Sequence, residues 1–140
     1  MLKNNCNLVQ KQRAAWIKRI ASSATRVSQA LGGQTEAVLQ KALVSELQTY
    51  PNTHVLREVV HPVYYTNSQK QQSIVGTVRL DIVLTTPVFT FVLELKLPTH
   101  SKRATAEQLS KYRSTLPSTA ILVLVVFPAK PHLGALAHVM

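Results

Sequence analysis

The chain has 140 residues, with 16 lysines and arginines against 6 acids, and its net charge of +10 points to a polyanionic partner. The length suits one domain with a buried core, and the longest apolar run, Ala120 to Phe127, is too short to span a bilayer. The single Cys6 excludes an intrachain disulfide or a cysteine zinc cluster, the five histidines lack metal-ligand spacing, and no Gly-rich phosphate loop or serine triad is discernible.

The first 35 residues are basic and acid-free, with Trp16, Ile17, Ile20, Ala24, Val27 and Leu31 at helical spacing. They predict a helix over about 9–31. Its basic residues and Ser22-Ser23 also match the composition of an organelle transit peptide. A docked helix whose basic face, Lys18 and Arg19 included, meets phosphates explains both features, while a merely solvated face is the default for such a charge run. Residues 1–32 are thus expected to form a basic helical extension to a domain over 33–140.

A second helix is predicted from Thr35 to Tyr50, stopped by Pro51-Asn52. Glu36 lies three and seven residues before Leu39 and Leu43 and shares an edge of their buried face. The bland reading of Glu36 is a first-turn acid that complements the helix dipole. Glu46 falls near the middle of the stripe Val38, Leu39, Ala42, Leu43 and Leu47, where an unpartnered carboxylate is costly. Either Glu46 is bonded to a basic residue, or it replaces Glu36 as the functional acid of this helix.

A strand around Val55 to Tyr65 and a loop over Asn67 to Ser73 lead to two further strands, Gly76 to Leu84 and Val88 to Leu97. Alternation puts Leu80, Ile82 and Leu84 on one face of the first, and Thr77, Arg79 and Asp81 on the other. In the second, Phe89, Phe91, Leu93, Leu95 and Leu97 form the apolar face and Val92, Glu94 and Lys96 the opposite one. A hairpin of the two brings Asp81, Glu94 and Lys96 to one face. Two close carboxylates suit a hard cation such as magnesium or manganese, and an adjacent lysine suits work on water or phosphate. The bland alternative is a solvated Glu-x-Lys pair on an outer sheet face, worth little energetically.

A helix from about Lys102 to Leu116 puts Gln108 and Tyr112 on one face, and the apolar run from Ile121 to Phe127 reads as a central strand. A helix crossing between the third and fourth strands predicts their parallel pairing. After Pro128 the tail, broken again at Pro131, carries no clear signal.

Gly76-x4-Asp81 followed by Glu94-Leu95-Lys96 resembles the core motif of the PD-(D/E)XK nuclease superfamily. Gly33-Gln34-Thr35-Glu36-Ala37-Val38-Leu39 is similar to the signature of its GxxExxY small-protein family, with Leu39 in place of Tyr, and Glu46-Leu47 matches a later Glu-Leu pair. Gln108-Leu109-Ser110-Lys111-Tyr112 resembles the Gln-x3-Tyr element of this family and of helicase-associated repair nucleases. The likeness spans about residues 27 to 128.

It implies an α/β fold with a restriction-endonuclease-like α-β-β-β-α-β core, a mixed sheet flanked by helices, plus the extra N-terminal helix. It also implies that Asp81, Glu94 and the Leu95 backbone carbonyl hold Mg2+ or Mn2+, that Lys96 is catalytic, and that Glu36 holds a metal-bound water or a second ion. Gln108 and Tyr112 would contact the lysine or a phosphate, with Tyr112 as plain core the competing reading, and Glu46 is the candidate supporting acid. Arg79, Lys102 and Arg103 join Lys18 and Arg19 as candidate backbone-binding cations.

The expected activity is metal-dependent hydrolysis of phosphodiester bonds in DNA, with RNA as the alternative substrate. Two other readings stand beside it: a dimeric Holliday junction resolvase, and a catalytically idle nuclease-like domain that serves as a nucleic-acid-binding or structural subunit of a larger assembly. A soluble intracellular protein without a membrane partner is expected, in the cytoplasm, nucleus or an organelle matrix.

Overall fold

The computed structural model describes residues 2–98, 102–130 and 133–140, with the side chains of 2–6 and 102–106 outside that description. In chain order the elements are α1 (Leu2–Leu31), α2 (Glu36–Leu47), β1 (His54–Thr66), β2 (Gln72–Thr85), β3 (Thr90–Lys96), α3 (Lys102–Thr115), β4 (Ile121–Val126) and β5 (Leu136–Val139). The strands form one mixed sheet in the order β1-β2-β3-β4-β5. Only β3 and β4 run parallel, because α3 carries the chain back across the sheet between them. The α-β-β-β-α-β order expected from the sequence is present, preceded by α1 and followed by one more strand.

Short local signals set the boundaries. Gly33, at φ 88, occupies the left-handed region that closes α1, and the Thr35 hydroxyl caps α2 by accepting from the Val38 amide at 3.4 Å. The β2–β3 turn is held by Thr86, whose Oγ1 accepts from the Phe89 amide at 2.8 Å and the Val88 amide at 3.3 Å. That turn fixes the pairing Thr85 with Thr90 through to Ile82 with Leu93.

The sheet separates two apolar clusters. On one face Ile20, Ala24 and Val27 of α1 and Leu39, Leu43 and Leu47 of α2 pack on Ile82, Leu84, Phe91, Leu93, Leu95, Val123 and Val125. Trp16 closes this side against Tyr50, with ring centroids 5.5 Å apart and nearly perpendicular planes. On the other face Leu109, Tyr112 and Leu116 cover Leu80, Val92 and Leu122. Burial on both faces explains the unbroken apolar run of β4.

Four expectations need correction. The α1 helix begins at Leu2, well before residue 9. The uninformative tail contains β5, antiparallel to β4 and tied to α1 where the Thr25 hydroxyl accepts from the Ala135 amide at 3.0 Å. In α2 the buried stripe is Leu39, Gln40, Leu43 and Leu47, while Val38 is exposed; the helix is rotated so that Glu46 lies at its edge. Finally, Leu80 does not share a face with Ile82 and Leu84 but joins the cluster under α3. Regular alternation is lost between them, opposite Glu58, whose left-handed φ of 56° interrupts the ladder between the pairs Arg57–Ile82 and Val59–Leu80.

Candidate active site

The irregularity in β2 falls at Asp81. One step past the last β2–β3 pair the two strands part, and the Asp81 carboxylate replaces a ladder partner: its Oδ2 accepts from the Leu95 amide at 2.8 Å. Glu94 follows from the alternation of β3. While Leu93 and Leu95 enter the core under α1 and α2, Glu94 points the other way and is itself only 2 % exposed. Its Oε1 lies 3.3 Å from Lys96 Nζ, and its Oε2 is buried without a hydrogen-bond partner among the described residues.

Lys96 is nearly buried, and its ammonium donates to Gln108 Oε1 at 2.7 Å. Gln108 Nε2 donates to the Tyr112 hydroxyl at 2.7 Å, which donates to the Arg79 carbonyl at 3.0 Å. A relay from β3 through α3 to β2 thus fixes the lysine. Tyr112 belongs both to the core, by its ring, and to this relay, by its hydroxyl.

Burial of like charges strains the protonation of the pair. Burial first, and then the Asp81 charge, pushes the Glu94 carboxyl up to about 8, with Lys96 opposing. Asp81 is also raised, chiefly by burial, against the pull of the Leu95 amide and Lys96. The Glu36 charge raises both, so the first turn of α2 reaches the same neighbourhood. Among the described residues no three His, Cys, Asp or Glu side chains form a ready metal-binding group. The close donors are the carboxylates of Asp81 and Glu94, a set that suits a cation retaining several waters.

Three further residues at this site escaped the sequence reading. Gln40 is buried at 3 % exposure one helical turn after Glu36; its Nε2 donates to the Asp81 carbonyl at 3.3 Å, and its Oε1 accepts from Arg57 Nη1 at 3.0 Å. Glu58 adds a charge that raises Asp81 and lies 3.6 Å from Arg79 Nε. Gln40 offered one signal, a position four residues beyond Glu36; Arg57 and Glu58 offered none.

Other candidates lie elsewhere. Glu46 pairs with Arg26 Nε of α1 at 3.1 Å, and the same guanidinium donates to Ser23 and Tyr50. Lys18 is exposed, while the Arg19 guanidinium stacks 4.8 Å above the Trp16 ring. Arg79 is exposed beside Glu58. The side chains of Lys102 and Arg103 lie outside the described residues.

An α/β domain with a mixed sheet, a parallel crossover, and a buried glutamate and half-buried aspartate beside a lysine thus defines the class. The family model of the PD-(D/E)XK nuclease superfamily matches residues 14–135, and the chain belongs to that superfamily. No curated protein matches the chain. Nucleases of this kind generally use divalent metals and act on nucleic acid. No helix among the described residues is long and apolar enough to cross a membrane.

Proposed function

We propose that the protein is a divalent-metal-dependent nuclease that hydrolyses phosphodiester bonds in DNA, with Asp81, Glu94 and Lys96 at its centre. The observation that carries this reading is the Glu94 carboxylate. It is buried beside Asp81, has one oxygen without a partner among the described residues, and is driven toward protonation first by burial and then by the Asp81 charge. A cation between the two carboxylates offsets both their repulsion and their desolvation, which makes the pair costly as mere structure and apt as a metal site.

Asp81, Glu94 and the Leu95 carbonyl would hold Mg2+ or Mn2+, with Glu36 holding a metal-bound water or a second ion. Such a cation, when bound, supplies Lewis-acid polarisation of a phosphate oxygen and lowers the pKa of water. The chain supplies the rest. Lys96, its ammonium fixed by Gln108, offers a positive charge and a proton donor to the oxygens on which charge develops. Gln40 and Arg57 hold the Asp81 backbone, and Tyr112 orients Gln108. The +10 charge draws in the polyanion irrespective of its sequence.

The test is near-isosteric substitution. Asp81→Asn and Glu94→Gln should each reduce metal-dependent cleavage by at least about a hundredfold while circular dichroism stays that of wild type, since a charge is removed without opening a cavity. Cleavage by either variant at the wild-type rate would take that residue out of the mechanism.

A further inference from the structure

Beyond its base the β1–β2 hairpin leaves the body of the protein. Pairing of β2 with β3 stops at Ile82, yet pairing of β2 with β1 continues outward to Thr66 and Gln72. Near the base, the His61 ring Nε2 lies 3.2 Å from the Thr115 carbonyl. From residue 64 to 77 every residue is exposed. The distal hairpin is therefore a two-stranded arm, and its tip is ordered: Asn67 Oδ1 accepts from the Gln69 and Gln71 amides at 3.0 and 2.9 Å.

A solvated two-stranded arm needs few apolar side chains, but this one displays Tyr64 at 52 %, Tyr65 at 60 %, Ile74 at 63 % and Val75 at 62 % exposure. Tyr64 stands opposite Ile74, next to the register shift that leaves Val75 unpaired. Being consecutive in a strand, Tyr64 and Tyr65 present a ring on each face of the arm. Between Glu58 and Asp81 the chain has no acid, and its charges are Lys70 near the tip and Arg79 at the base, the latter beside Glu58.

Charge decides between the possible occupants. A second copy would bring +10 against +10 and set one acid-free arm against another, whereas a polyanion meets no such repulsion. Two cations are too few for the arm to bind as a phosphate clamp. Its distinctive offer is flat aromatic surface, which stacks on bases whose faces are free, and those are unpaired bases. We infer that the β1–β2 arm is a binding surface for single-stranded DNA, with Tyr64 and Tyr65 as its stacking platforms. The arm grows from the strand that carries Asp81, and Ile74 is seven residue steps from Asp81, a reach of roughly 23 Å. The enzyme would accordingly prefer substrates with an unpaired stretch beside the cleaved bond. This inference rests on the nuclease reading above.

The experiment measures binding without metal, in EDTA, by anisotropy of a dye-labelled single-stranded oligonucleotide and of a duplex of the same length. Tyr64→Ala/Tyr65→Ala should weaken single-strand binding at least about tenfold and duplex binding less than about threefold. Tyr64→Leu/Tyr65→Leu, which keeps apolar cover without rings, should show the same loss. Wild-type affinity for the single strand in either double variant would overturn the inference, and wild-type cleavage of duplex in magnesium would then show that the nuclease reading survives. If sedimentation finds a wild-type dimer that the Ala variant turns into a monomer, the arm binds a second copy and the inference falls. A wild-type protein that binds neither oligonucleotide and cleaves nothing would overturn both readings.

Discussion

At the scale of single residues, Glu94 concentrates the energetics of the molecule. Its carboxyl is raised from 4.5 to about 8 in the folded state, so between those values the native protein holds a proton that the unfolded chain has released. Stability then falls as pH rises through that window, and the raised Asp81 contributes with the same sign. The metal-free protein should melt at least about 5 °C lower at pH 8 than at pH 5, and Glu94→Gln should remove most of that slope. Magnesium should recover more stability at pH 8 than at pH 5, since at the lower pH it must displace protons. Thermal melts in EDTA and in magnesium read this directly; a flat wild-type profile would mean that Glu94 is ionised and satisfied without a metal.

At the scale of elements, α2 divides its acids between its two ends. Glu36, in the first turn, influences the carboxylate pair, whereas Glu46, in the last, bonds to Arg26. Glu36→Gln should therefore lower cleavage at least about tenfold with little change in stability. Glu46→Gln should leave cleavage intact and cost no more than about 1 kcal/mol, because its ion pair is half exposed. Rates and melting temperatures of both variants check this, and the reverse pattern would transfer the role to Glu46. The elements were legible because each carried a physical signature: periodic apolar residues, Thr35 as a cap, Pro51 and Pro87 as breaks. The four-residue β5, which follows the breaks at Pro128 and Pro131, had no such signature. Asp81, Glu94 and Lys96 stand out as a short pattern in adjacent strands. Gln40 acts through its side chain on a backbone carbonyl 41 residues away, a contact that no local spacing encodes. The face of Leu80 was misread because alternation presumes a regular ladder, and the left-handed Glu58 lies across from the break.

At the scale of the whole molecule, charge is sorted by place. Of the six acids, Asp81 and Glu94 lie in the cluster, Glu36 is near enough to bias both, Glu46 and Glu58 pair with Arg26 and Arg79, and Glu107 lies on the exposed side of α3. The remaining surface is strongly basic, so affinity for duplex DNA should fall linearly on a log-log plot against salt, with a slope of about 0.9 per neutralised phosphate. Lys18→Gln with Arg19→Gln should reduce that slope by up to about 2 if α1 touches the backbone. An unchanged slope would leave α1, whose Ile20, Ala24 and Val27 are buried, to packing alone.

The most direct measurement of the central claim incubates the purified protein with single-stranded, duplex, flapped and four-way DNA, in magnesium, in manganese and in EDTA, and resolves the products on a denaturing gel. The expected result is phosphodiester cleavage that requires the cation, is abolished by Glu94→Gln, and is strongest on substrates with an unpaired segment. Salt-sensitive binding without cleavage in either metal would contradict it and make the domain a nucleic-acid-binding relative of nucleases that has lost its chemistry.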